Sequence, residues 1–503
     1  STGSGAGVGA HERIGRRKGI RSLMSAYPML GNDEGGDWLE VAPPGSPKNQ
    51  CQKATETPLG VILKFQRAHE KSMDRIDFYL DIVPLPLVIL LAGFVVVLFM
   101  GIPARYRIVV ALTLVPIWLT IGRLPALGVL SQAAKVSSSM SYLLVGLAAL
   151  LHPGPRRQLP GITWLYLVMA GIAFLYVLRV EDRTLAIVLR LQWLTLVFAS
   201  LMLIRTVVSA QDMMRVVNGL AFGCFCAIGL PLSGLILFPG EAFLRGAGRF
   251  QPYGVNSNQI GMLFALAIPL LCFKGLTTRA VSLKPFIFAA VGIALGMALL
   301  TGSRQTLLAI LMVSIPIIFY FSKRPILTII AIGLGFSAVS YVIGMADQTA
   351  FDRFSDLETY RFEVWSAYIR DVFAVRPLFG LFGVSGEAAF KSSVIGVHPH
   401  SAYMNLMYMG GLSLFVPMMI LLFISLKSAF KVWRQRYNLG LHPMLTSILA
   451  MLLVAMYVQG LFNQVVYWPT YTWSFIHVIL AAFFITTAAT LQEEDPAWVL
   501  PDL

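Results

Sequence analysis

Residues 283–322 read LKPFIFAAVGIALGMALLTGSRQTLLAILMVSIPIIFYFS, and this stretch decides the fold. Two apolar runs, 283–301 and 304–322, meet at Thr301-Gly302-Ser303-Arg304. Each is close to the roughly 20 residues an α-helix needs to cross the hydrocarbon core of a bilayer. Lys284 and Arg304 carry the only charges in the stretch. A helix this apolar on every side is a membrane or deep-core helix. In lipid the backbone must pair its polar groups internally, so the two runs read as a transmembrane helical hairpin.

The pattern repeats outward in both directions. Runs at 82–102, 107–122, 138–152, 162–179, 185–205, 214–237 and 258–274 precede the pair, and 325–345, 402–426, 442–462 and 470–489 come after it. Of the 503 residues, 57% are hydrophobic and 13% charged. That leaves too few polar side chains to cover a soluble protein of this length. The short alternating strands of a transmembrane barrel are not seen. The fold class is therefore all-α, a polytopic transmembrane helical bundle.

The formal net charge of +14 suggests nucleic acid at first, but its distribution argues against that partner. Lys274, Arg279 and Lys284 share one connection, Lys323 and Arg324 another, and Lys427, Lys431, Arg434 and Arg436 a third, none with an acid. This is the positive-inside pattern of short cytoplasmic loops. It puts the C-terminus inside and 238–257 and 346–400 outside. Thirteen runs would leave the basic N-terminal arm outside, so about twelve spans with both ends inside are expected, the surplus run lying in 107–152. Residues 1–78 are read as a cytoplasmic, mostly disordered arm rich in Gly, Ser and Pro. Its Arg13, Arg16, Arg17, Lys18 and Arg21 suit a solvated tail or contact with anionic membrane lipids. The remaining divisions are membrane helices over 79–345 with the loop 238–257 between two of them, a large outer loop over 346–400, C-terminal spans over 401–490 and a cytoplasmic tail over 491–503.

The loop 346–400 is long enough to be functional. Ser355-Asp356-Leu357-Glu358 has the form of a capping box. Arg361, Trp365, Tyr368, Ile369, Val372 and Phe373 come next at helical spacing, which predicts an amphipathic helix lying on the outer leaflet. Pro377 ends it, and Gly380, Gly383 and Gly386 make the next segment irregular. The four cysteines, Cys51, Cys224, Cys226 and Cys272, show neither disulfide nor zinc spacing and read as small apolar residues.

No apolar run has an Asp or Glu in its interior, and no acid occurs between Glu241 and Asp347 or between Glu387 and Glu493. Ion-coupled carriers commonly place a carboxylate at the midplane, so that class loses support. The outer side instead offers Arg245, Arg249, Arg304, Arg353, Arg361, Arg370, Arg376, His398 and His400. The planar guanidinium fork suits phosphate oxygens. Converging arginines can hold a pyrophosphate and stabilise it as it leaves, and a nearby histidine can take a proton from an attacking hydroxyl. This is phosphate-linked group transfer with no metal or other cofactor. Against it stands the plainer reading of an interfacial arginine, which snorkels to lipid phosphate. Arg353, Arg370 and Arg376 are read as ion-pair partners within the loop, and His398, His152, His442 and His477 as structural hydrogen-bonders.

Four segments then fall in order. His400-Ser401 is followed after nine residues by Gly411. Arg249-Phe250-Gln251-Pro252-Tyr253-Gly254-Val255-Asn256-Ser257-Asn258 precedes a central span. Gly302-Ser303-Arg304-Gln305 forms a short turn. Arg361-Phe362-Glu363-Val364-Trp365 leads on to Arg376-Pro377-Leu378-Phe379-Gly380. Together, over roughly 238–430, they resemble the O-antigen ligase and polymerase family of bacterial membrane glycosyltransferases. Leu414 departs from it, standing where ligases often have Gly or Thr.

The resemblance implies a GT-C-like bundle in the bacterial inner membrane with its active site facing the periplasm. It implies an undecaprenyl-pyrophosphate-linked glycan as donor and inverting transfer. His400 matches the histidine that activates the acceptor, and Arg249 and Arg361 match the arginines that hold pyrophosphate. Arg304, Asn256, Asn258, Arg245 and Tyr403 are added as substrate-binding candidates. A ligase would use lipid A–core as acceptor, and an O-antigen or exopolysaccharide polymerase a lipid-linked glycan. A lipid-linked oligosaccharide flippase is the alternative from another class.

Overall fold

The computed structural model describes residues 85–179, 183–243, 249–322, 361–381, 400–463 and 471–491, with Ile326, Ile330 and Gly333. Among these residues the chain is helical, and the only β feature is a single bridge between Phe243 and Phe250. The helices are α1 (Leu85–Met100), α2 (Ala104–Ile121), α3 (Val129–Val136), α4 (Ser138–Leu150), α5 (Leu165–Leu175), α6 (Arg183–Arg205) and α7 (Ala210–Leu237). They continue as α8 (Ser257–Thr277), α9 (Lys284–Leu300), α10 (Arg304–Phe321), α11 (Arg361–Tyr368), α12 (Ala402–Arg434), α13 (Pro443–Phe462) and α14 (Thr472–Thr490). Ten segments are long and apolar enough to cross a membrane, or eleven if α3 and α4, bent by 47°, form one broken span.

The difference from twelve has a local cause at each place. The run 82–102 yields α1, described over 16 residues, short of the roughly 20 that span a bilayer core. The run 325–345 lies outside the described residues except for Ile326, Ile330 and Gly333. The surplus run expected in 107–152 is 138–152: it gives α4, 13 residues long, which crosses a membrane only if joined to α3 across the 47° bend, whereas 107–122 is a span by itself. α2 and α4 are separate helices, and much of the polar link between them is itself the amphipathic helix α3. The arm 1–78 and the capping box at Ser355 also lie outside the described residues, as do 382–399 and the tail from 492.

The two ends of the bundle differ. At one, called upper here, the backbone N–H of Phe250 donates to the Leu300 carbonyl (2.9 Å) and that of Ala402 to the Asn463 carbonyl (3.0 Å). Arg123 lies over the Tyr471 ring at 3.8 Å. At the lower end Arg157 donates to the Thr486 carbonyl (3.1 Å) and the Thr490 hydroxyl (3.0 Å), while Lys431 donates to the Ala488 carbonyl (2.9 Å). These cations satisfy the last turn of α14, where the helix dipole favours positive charge. The basic residues read as a loop over 427–434 are in fact the final turns of α12, since Lys and Arg are good helix formers and extend the span past 426.

Three helices are the most enclosed, α14 packed chiefly against α6 and α12, α8 against α7, α9 and α10, and α13 against α10 and α12. α14 is buried over 94% of its span, α8 over 78% and α13 over 72%, against 22% for the span that contains α9. Trp473 of α14 is fully enclosed and donates from Nε1 to the Met262 carbonyl of α8 at 2.6 Å.

His442, at the lower end, caps α13: its Nδ1 accepts from the Met444 N–H at 3.3 Å. The ring lies 5.7 Å from Phe273 and 5.5 Å from Tyr320. Burial pushes its pKa down, and the accepting nitrogen requires the neutral ring. The unfolded chain, with a pKa of about 6.5, therefore takes up a proton before the folded chain does, and stability falls as pH drops through that value. The melting temperature of purified protein should drop on going from about pH 7 to about pH 5, and less so in His442→Asn, which keeps an acceptor that does not titrate. Equal drops in both proteins would refute the capping account.

Candidate functional site

Arg249 is fixed by its neighbours. Phe250 is fully buried, bridges to Phe243 and bonds to the Leu300 carbonyl, so the preceding residue is held beside the end of α9. The Arg249 guanidinium donates through Nε to the Thr301 carbonyl and through Nη2 to Asn258 Oδ1, both at 3.0 Å. Asn256 caps α8, its side chain accepting from the Asn258 N–H at 2.9 Å. Arg249, Asn256 and Asn258 thus form one local unit at the start of α8.

Thr301 leads directly to the next candidate. Ser303 caps α10, accepting from the Thr306 N–H at 3.3 Å, and Arg304 is the first helical residue, half-buried. Gln305 donates to the Phe462 carbonyl at the end of α13 (3.0 Å), and Gln459 of α13 donates back to the Gln305 carbonyl. Both bonds end on carbonyl oxygens, so both side-chain amides are oriented without ambiguity. Each Oε1 is left buried with no hydrogen-bond partner.

His400 reaches the same end of α13. Ser401 caps α12, accepting from the Met404 N–H and donating to the Gly460 carbonyl, both at 3.4 Å, while Ala402 N–H bonds to Asn463. His400 is half-buried with φ +47°. A non-glycine residue in this left-handed region carries strain, and such strain collects at functional sites. Tyr253, at φ +57°, is the only other non-glycine residue in this state among the described ones. Its hydroxyl lies 3.1 Å from Ser233 Oγ. Of the eight positive-φ residues described, Gly440 alone lies at the lower end.

The starts of α8, α10 and α12, each capped by its own side chain, all lie at the upper end, where the helix dipoles favour anions. Bonds run from Arg249 to Thr301, and from Gln305 beside Arg304 to the end of α13, on which Ser401 and Ala402, next to His400, are also anchored. The remaining candidates fall elsewhere. Arg245 lies outside the described residues. Arg361 opens α11, and its side chain is outside what is described. Tyr403 is largely buried and donates its hydroxyl to the Tyr457 carbonyl at 2.9 Å, so it anchors the start of α12.

The helix expected over the outer loop is present from Arg361. α11 passes at Ile369 into a π-turn, Ile369–Phe373, which changes the direction of successive side chains, so Tyr368 is buried against Tyr408 while Ile369 is exposed. Arg190, 7% exposed inside the apolar span of α6, does not stand out in the sequence, although a buried intramembrane arginine is a site candidate in its own right. Gln459 and Tyr253 are equally inconspicuous there, because neither glutamine burial nor backbone strain leaves a periodic signal. Among the described residues no three His, Cys, Asp or Glu come together as a metal-binding group.

No protein-family model and no curated protein matches the chain.

Proposed function

We propose that the protein is a membrane glycosyltransferase of the O-antigen ligase and polymerase type, working at the upper, periplasmic end of the bundle in a bacterial inner membrane. The observation that carries the reading is the run of bonds from the Arg249 guanidinium to Thr301, and from Gln305 beside Arg304 to the end of α13, on which Ser401 and Ala402, next to the strained His400, are also anchored. Two cations and three helix starts gather where an anionic group would bind. In the reaction the acceptor hydroxyl attacks the anomeric carbon of the glycan and passes its proton to His400. The bond from that carbon to the pyrophosphate oxygen breaks, and undecaprenyl pyrophosphate leaves with its charge held by Arg249, Arg304 and Arg361. No step assigns a role to a metal.

Ligation to lipid A–core is the first choice of acceptor. Growth of a lipid-linked repeat unit is the second, favoured by Leu414, which is fully buried against Gly410 where a ligase often has a small residue. Purified protein given an undecaprenyl-pyrophosphate glycan should move it to one of these acceptors when each is offered separately. Product on lipid A–core identifies a ligase, and chain growth on the carrier a polymerase. Turnover with neither returns the flippase reading to first place.

A further inference from the structure

α12 is broken at Gly411, whose φ +56° and ψ −152° fall in a region open essentially to glycine alone. The turn Pro377–Leu381 occupies the gap. The N–H of Leu412 donates to the Pro377 carbonyl (2.7 Å), that of Ser413 to the Leu378 carbonyl (3.1 Å), and the Leu381 N–H to the Tyr408 carbonyl (2.9 Å). In an unbroken helix Leu412 and Ser413 would donate to Tyr408 and Met409. The turn therefore takes the place of the helix's own acceptors for Leu412 and Ser413, whose N–H groups are satisfied in either arrangement, while the Leu381 N–H is satisfied by Tyr408 only when the turn is docked.

Space is tight on both sides. A Cβ on Gly411 would come within 2.5 Å of the Pro377 oxygen, and one on Gly380 would run into the Tyr408 oxygen and the Gly411 nitrogen. Yet the docked turn buries little side chain: Val375, Leu378 and Phe379 are 69%, 58% and 49% exposed. It is held by backbone bonds, the Tyr368–Tyr408 ring contact at 5.0 Å and the Tyr176–Phe379 contact at 6.4 Å. The short helix before the break, 402–410, is the one that His400 leads into directly.

We propose that the Pro377–Leu381 turn is a releasable strap. Docked, it keeps α12 bent and His400 seated on the end of α13; released, it lets α12 close into one helix and draws His400 off that seat. The catalytic consequence rests on His400 being the reacting base, but the conformational exchange does not. The two arrangements form a two-state element of the kind that small backbone changes can bias.

The test is a spin-label distance across the break in protein reconstituted in lipid vesicles, with labels at Met404→Cys and Ile420→Cys and the four native cysteines replaced. In a continuous helix these sites lie about 24 Å apart. The parent protein should give a shorter main distance, and both Gly411→Ala and Gly380→Ala should shift the population to the longer one. Gly380→Ala leaves every residue of α12 unchanged, so it carries the test if Gly411→Ala does not fold. Retention of the parent distance in the folded variants would overturn the strap. A shifted distance with undiminished glycan transfer would leave the strap standing and remove His400 from the chemistry.

Discussion

His400→Asn should lose glycan transfer by a factor on the order of 10² to 10⁴, the usual contribution of a positioned general base, while melting at the same temperature as the parent. The choice of asparagine rests on the backbone. His400 sits at φ +47°, a conformation that Asn tolerates far better than Ala. His400→Ala removes the imidazole but also strains the link into α12, where a left-handed residue costs roughly 1–2 kcal/mol, so its loss of activity has two causes. His400→Gly removes the ring and relieves the strain, and should match or exceed the parent in stability while remaining inactive. If His400→Asn still transfers glycan, the base lies elsewhere. If His400→Gly is stable and His400→Asn is not, the imidazole holds the fold together through its contacts and the activity loss has to be read again.

Arg249→Ala should raise the donor concentration needed for half-maximal rate, with a loss of about 1.5–3 kcal/mol, or roughly 10- to 150-fold at limiting donor. Part of this is structural, because the guanidinium bridges Thr301 and Asn258. Two further variants separate the parts. Asn258→Ala removes one anchor and leaves the charge, so it should affect thermal stability more than donor use. Arg249→Lys keeps the charge and loses the fork that reaches both partners, so donor affinity should be partly retained. Arg361→Ala should behave as Arg249→Ala toward donor. If the rate depends on donor concentration identically in Arg249→Ala, Arg361→Ala and the parent, the pyrophosphate clamp is wrong.

The spans and the Arg249 segment are legible in the sequence because each signal is local. An apolar run of bilayer length implies a helix, and the Arg249–Asn258 motif stands directly before one, although the capping role of Asn256 emerges only in the structure. The roles of Gly411 and Gly380 are not legible, although both residues stand out. In the sequence Gly411 is only a glycine at a fixed distance from His400. Its reason is that another segment's backbone enters the helix there, and Gly380 is the matching residue on that segment. Such a pairing joins residues about 30 apart in number with no shared periodicity. The π-turn at Ile369–Phe373 is not legible for a related reason: it changes the period partway along, and nothing in the residue types announces it.

The near-total enclosure of α14 bears on how the protein is made. Chain growth delivers this helix after every other described span, yet it becomes the middle of the bundle, 94% buried. Until Thr472–Thr490 arrives, the surfaces of the earlier helices that it covers in the finished bundle have no protein against them. Release of the chain before residue 472 would leave the faces of α6 and α12 that pack on α14 without their partner. Quality-control proteases that recognise unpartnered membrane helices would then find their substrate, and full-length synthesis becomes a condition for the survival of everything upstream.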